Sequence, residues 1–181
     1  MALKNNIREK YKELVEKITG FPLPHLLKCI YINDFFNQNI DYQPDVVTYF
    51  KKDYWATLDE TLKRGFGDCE DYAIAKYFTC LQNGAPSSFV GLGYATWFNY
   101  QKPVKHMVTV FHSQNLLENN ELWILDNIEE TIYSLTQRPE LRIHFYFNNT
   151  DVYKIEDGKI KVIGNSRRLR LWDDLLNRMN I

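Results

Sequence analysis

The chain's 181 residues include 22 lysines and arginines against 23 aspartates and glutamates, and 45% of them are hydrophobic. That apolar share excludes a disordered chain, and the length suits one domain, residues 1–181, with a sizeable core. A net charge of −1 lacks the basic field expected of a nucleic-acid binder, and no apolar run is long enough to span a bilayer.

Ile7, Tyr11, Leu14, Val15 and Ile18 recur at the period of an amphipathic helix, which Gly20 and Pro22 end. Charges spread through this first stretch, without the apolar run of an export signal. The chain therefore reads as either cytosolic or a mature form with its leader trimmed. A second helix is expected over residues 24–37, burying Leu26, Leu27, Ile30, Tyr31 and Phe35. Residues 39–55 read as a long connection, aromatic in character and carrying Pro44. Thr57 and Glu60 form a capping box for a short helix ending near Gly65. Gly65-Phe-Gly-Asp-Cys-Glu-Asp71 then reads as a turn that delivers Cys69 to the start of an amphipathic helix reaching Gly84. Short β-rich segments follow at residues 89–98, 106–112, 122–126 and 143–147. A hairpin over 152–155 and 160–163, turning at Glu156-Asp-Gly-Lys159, and a closing helix over 171–179 complete the chain. Helices first and antiparallel strands after them argue for an α+β fold.

Three cysteines, Cys29, Cys69 and Cys80, cannot make a disulfide framework and match no zinc spacing. Cys29 and Cys80 sit among apolar helix positions and read as core. Cys69 lies instead among glycine and acids at a helix start, where free N–H groups and the helix dipole favour a thiolate and can hold an oxyanion. A small buried hydrophobe is the alternative reading. Any base must come from four histidines. His25 lies beside a helix start, and His112 and His144 read as structural or surface residues. That leaves His106, expected to open a strand and present its ring from the strand end. Asp126 closes an apolar strand and either orients that imidazole or is a plain turn residue.

Asp68, Glu70 and Asp71 crowd the thiol. At an effective dielectric of about 20, a unit charge about 6 Å away costs about 2 to 3 kcal/mol. The helix dipole offsets only ~1 kcal/mol of this. The acids either cap and complement the helix or hold a hard cation such as Ca2+ beside the thiol, with backbone carbonyls or water completing its shell.

Asp53-Tyr-Trp-Ala-Thr57 and Gly65-Phe-Gly-Asp-Cys-Glu-Asp-Tyr-Ala-Ile-Ala-Lys-Tyr-Phe78 resemble the bacterial transglutaminase-like cysteine proteinases of the LapG type. The resemblance continues through Asn33-Asp-Phe-Phe-Asn37, His106-Met-Val108, Leu125-Asp-Asn127, Arg138-Pro-Glu-Leu141 and Phe147-Asn148. It implies a papain-like, transglutaminase-like core in which a Cys-bearing helix packs on an antiparallel sheet. It also implies Cys69 as nucleophile, His106 as base, Asp126 as orienting acid and calcium bound by Asp68, Glu70 and Asp71. Trp55 matches a family aromatic near the site and is assigned to the substrate groove.

The implied biology is that of a periplasmic, calcium-dependent endopeptidase. Such an enzyme cuts the N-terminal region of a large surface adhesin after paired alanines, releasing it and dispersing a biofilm. An inner-membrane cyclic di-GMP receptor (LapD-like) sequesters it. Two departures stand out: Phe66 occupies a place where relatives carry a small residue, and Leu58 replaces a common proline. Residues beyond Asn149 lie outside the resemblance, and Arg167 and Arg168 there read as a solvated surface, with a receptor-binding surface as the alternative. A transglutaminase or amidase acting on glutamine side chains keeps the same triad, and a calcium-gated binding module keeps the same fold.

Overall fold

Two helices open the computed structural model, which describes residues 2–20, 22–99, 102–112, 121–156 and 159–181. Helix α1 (Ala2–Thr19) sends Leu14 and Ile18 into the core, and α2 (His25–Asn39) adds Cys29, Ile32, Phe35 and Phe36. The Tyr11 ring leans on Phe35 and Phe36 at centroid distances of 5.8 and 6.2 Å, which joins the two helices. The following connection is more ordered than its composition suggests. It holds a short strand β1 (Asp41–Tyr42) and one helical turn, α3 (Asp45–Thr48).

Helix α4 (Leu58–Arg64) begins with the reciprocal Thr57–Glu60 capping box and ends at Gly65, whose φ of 80° disfavours any side chain. Strand β2 (Phe66–Gly67) then pairs in parallel with β1, because the Asp41 and Gln43 N–H groups donate to the Gly65 and Gly67 carbonyls. Helix α5 (Cys69–Gln82) follows at once.

Strands β3 (Val90–Phe98), β4 (Pro103–His112), β5 (Leu122–Leu125), β6 (Tyr133–Ser134), β7 (Leu141–Phe147), β8 (Asp151–Glu156) and β9 (Lys159–Asn165) form one antiparallel sheet. Their spatial order is β6-β5-β4-β3-β7-β8-β9. The expected hairpin is present as β8 and β9, and its turn at residues 157–158 lies outside the described residues. Along β4 the side chains alternate between two cores. Met107 and Phe111 join the helices, whereas Val108 and Val110 pack with Ala95, Ile124 and Leu141 on the opposite face. Helix α5 is fastened to the first face by the Thr109 hydroxyl, which donates to the Ala73 carbonyl at 2.7 Å.

Helix α6 (Arg170–Arg178) closes the chain. Its fully buried Trp172 meets the rings of Tyr77, Phe78 and Phe147. Arg178 reaches back to Glu60 at 2.7 Å, to the Tyr54 hydroxyl at 2.8 Å and to the Trp55 carbonyl. The last segment thus anchors the stretch that leads into α4. Arg167 and Arg168 are exposed, as expected of a solvated surface, and Arg167 bonds Asp173 and Asn177 there. Among the described residues no helix is long and apolar enough to cross a membrane.

Candidate active site

Cys69 is the first residue of α5, and the β2 turn brings it there as its glycines suggest. The Asp68 side chain makes no cap hydrogen bond, so the helix-cap reading of that acid is not realised. The Cys69 thiol donates to Glu70 Oε2 at 3.1 Å, and the Met107 backbone N–H faces its sulfur. Burial pushes the thiol pKa well up, and the charges of Glu70 and Asp68 add to that push, while the Met107 N–H opposes it. In this state the sulfur is held as a thiol. The other two cysteines are buried, with their sulfurs 3.9 Å apart between α2 and α5.

His106 corrects one expectation. Pro103 to Lys105 pair with Phe98 to Thr96 and lengthen β4, so His106 sits inside the strand opposite Ala95 instead of opening it. It is only 5% exposed. Its Nε2 lies 2.7 Å from Asp126 Oδ1, just past the end of β5. That leaves Nδ1 as the ring nitrogen available for another partner. Asp126 Oδ1 also accepts the Ile128 N–H at 3.1 Å, and Oδ2 accepts from Arg138 at 2.9 Å. Burial alone would raise the Asp126 carboxyl; His106, the Ile128 N–H and Arg138 overcome it and hold the group far below the usual carboxylate range. Sequence reasoning did not single out Arg138 as part of the site. Its signal was a place within one of the quoted motifs. His25 and His112 each keep a buried ring nitrogen without a partner, and His144 pairs with Thr96.

The acids form overlapping clusters. Asp68 and Asp71 converge with Asp45 of α3, and one carboxylate oxygen from each lies within 4.8 Å of the others. Asp45 Oδ1, Asp68 Oδ1 and Asp71 Oδ2 are all buried and have no hydrogen-bond partner. Two of the other three oxygens are engaged, Asp71 Oδ1 by the Ala56 N–H at 2.8 Å and Asp45 Oδ2 by the Tyr54 N–H. Burial first, and then the neighbouring carboxylates, push Asp45 up to about 6 and Asp68 up to about 8, and raise Asp71 well above the usual range. Three orphaned hard oxygen donors around one point fit a cation such as Ca2+. Glu70 bonds the thiol and approaches Asp68 on one side and Asp45 and Asp53 on the other. Asp45 was missed in the sequence.

Trp55 is buried and stacks on Phe147 at 6.0 Å. With Tyr94, Phe145, Leu169 and Leu171 it lines an apolar cavity of about 340 Å³.

No curated protein matches the chain in sequence. The family model of the bacterial transglutaminase-like cysteine proteinases matches residues 18–142. Among solved structures, Legionella pneumophila LapG is 29% identical with a TM-score of 0.77, over 98% of this chain and 94% of that one. Its EGTA-treated form gives 29% identity and a TM-score of 0.78 over 98% and 96% of the two chains. The calcium-bound form gives 32% and 0.74 over 92% and 86%. The chain belongs to the bacterial transglutaminase-like cysteine proteinases and is a cysteine protease with a transglutaminase-like fold.

Proposed function

We propose that the chain is a calcium-dependent cysteine endopeptidase with Cys69, His106 and Asp126 as its triad. The observation that carries this reading is the buried 2.7 Å bond between His106 Nε2 and Asp126, with the N–H of the adjacent Met107 facing the sulfur of Cys69 at the head of α5. With Nε2–H committed to Asp126, Nδ1 is the base that takes the Cys69 thiol proton. The thiolate then attacks the scissile carbonyl carbon, and the Cys69 backbone N–H at the head of α5 donates to the oxyanion. His106 Nδ1 passes its proton to the leaving amine, and water hydrolyses the thioester that remains. Asp126 stabilises the imidazolium without taking its proton.

Asp45, Asp68 and Asp71 would hold the calcium, with Glu70 at its margin. A bound calcium ion would supply positive charge beside a thiol whose ionisation burial first, and then the surrounding acids, oppose. This supports calcium dependence, as do the calcium-bound and EGTA-treated forms of the Legionella relative. Family resemblance supports the finer reading: a periplasmic enzyme that cuts the N-terminal region of a large adhesin, releases it from a biofilm, and is restrained by an inner-membrane cyclic di-GMP receptor. The Trp55 cavity would take apolar substrate side chains near the cut.

The test mixes the protein with a recombinant adhesin N-terminus in calcium and in EGTA. Cleavage after paired alanines in calcium alone, lost in Cys69→Ala, is the expected result. Equal cleavage by Cys69→Ala overturns the triad, and equal cleavage in EGTA overturns calcium dependence. Amine incorporation into glutamine without peptide cleavage would move the assignment to a transglutaminase. Intact adhesin under every condition would move it to a binding module.

A further inference from the structure

Lys76 lies seven residues after Cys69 on α5, which is close to two helical turns and about 10 Å along the same face. Its side chain is completely buried, a costly place for an ammonium group. All three of its N–H donors are matched by acceptors: Asn33 Oδ1 at 2.8 Å, Asn37 Oδ1 at 2.7 Å and the Asp126 backbone carbonyl at 2.9 Å. The two asparagines, both on α2, then use their amide groups on the same loop. Asn37 donates to the Asp126 carbonyl at 2.8 Å and Asn33 to the Glu130 carbonyl at 2.6 Å. Both ends of residues 126–130 are therefore gripped from α2 and α5, while Arg138 fixes the Asp126 carboxylate separately. The charges that bear on the ammonium are Asp126, Cys80, Asp34 and Glu130, and the Tyr72 ring centroid lies 5.7 Å from Nζ. Burial pulls its pKa down to about 7 against those charges. A methionine would fill such a site at no desolvation cost, so packing alone gives no reason for a charge there.

We infer that Lys76 is a positioning residue: it couples the helix that carries Cys69 to the backbone of Asp126 and so sets how the His106–Asp126 pair stands relative to the thiol. The inference rests on the triad proposed above. It makes Asn33 and Asn37 relays in the same clamp and gives the quoted motif around Asn33 a role in the site.

The test is the pH profile of Cys69 alkylation by iodoacetamide in calcium, followed by intact mass, for wild type, Lys76→Met, Asn37→Ala and His106→Ala. A thiol paired with an imidazolium reacts below the pH at which an isolated thiol does. Misplacement by about an ångström costs up to about a hundredfold in rate. Lys76→Met and Asn37→Ala should therefore lose roughly tenfold or more of the reactivity at pH 6 and move toward the His106→Ala profile. Circular dichroism and the calcium-induced melting shift should stay native. Wild-type profiles in both folded variants overturn the role of Lys76. Where Lys76→Met does not fold, Asn37→Ala decides, because it removes only a partly exposed amide. An unshifted His106→Ala profile would instead overturn the triad, and the clamp with it.

Discussion

Replacing Asp71 with asparagine should have opposite consequences with and without calcium. Asp71 is fully buried, with Oδ1 bound to the Ala56 N–H and Oδ2 unpartnered. Asparagine keeps an oxygen for Ala56 and removes the charge. One carboxylate oxygen from each of Asp45, Asp68 and Asp71 lies within 4.8 Å of the others. Each ionised pair at that distance repels by about 3 to 4 kcal/mol at an effective dielectric of about 20. Protonation relieves much of this, so the metal-free variant should melt at the wild-type temperature or a few degrees above it. Calcium reverses the comparison. At a hundred times its Kd, calcium stabilises the wild type by about 2.7 kcal/mol, or roughly 5 to 10 °C for a domain of this size. A variant bound about a hundredfold more weakly would gain only about 0.4 kcal/mol at the same concentration, a shift of ~1 °C. Differential scanning calorimetry in EGTA and in a calcium series reads both effects. A variant with the full wild-type calcium shift would remove Asp71 from the ligand set. One that melts far below wild type in EGTA would refute the repulsion argument itself.

The same cluster sets a pH dependence. Asp45 and Asp68 titrate near 6 and 8 when folded, raised first by burial and then by neighbouring charge. Between the ordinary carboxylate range and pH 8 the folded state therefore binds more protons than the unfolded one, and metal-free stability falls as pH rises. Melting temperatures in EGTA should decline from pH 5 to pH 8, while calcium affinity measured by titration calorimetry should rise, since binding expels protons; a flat EGTA profile contradicts this. Gly67→Ala should abolish the calcium shift, because a Cβ there would lie 2.5 Å from Asp71 Cβ and Oδ2; an unaltered shift would mean the carboxylate can move. Glu70→Gln should speed alkylation of Cys69 at pH 7.5 in EGTA severalfold, since it removes the charge that, after burial, does most to raise the thiol pKa. A slower or unchanged rate would refute that cause.

Cys69 is legible in the sequence because its determinants are consecutive: a glycine turn, acids, then an apolar rhythm of helical period. The longer helices and most strands are legible for the same reason. His106 is legible as a residue but not as a position, because Pro103-Val-Lys105 shows no strand pattern until pairing with β3 makes it one. The two-residue strands β1, β2 and β6 are too short to display any period. Asp45 is one of three acids in an aromatic connection, and only the β1–β2 pairing carries it to Asp68. Arg138 and Lys76 meet Asp126 from 12 and 50 positions away, so their places in the quoted motifs do not reveal which group they meet. A buried charge is explained by its partners, and partners are a tertiary property. The two acidic sites then differ in one respect. Asp126 is compensated within the chain by Arg138, His106 and a backbone N–H, and its pKa is held down. Among the described residues no cationic side chain is paired with Asp45, Asp68 or Asp71, and theirs are pushed up. The fold thus completes the carboxylate that must stay charged for the histidine and leaves the charge of the other three to be balanced by a cation from solution. On the proposed reading, the thiol beside them would respond to calcium while the His106–Asp126 pair stays assembled without it.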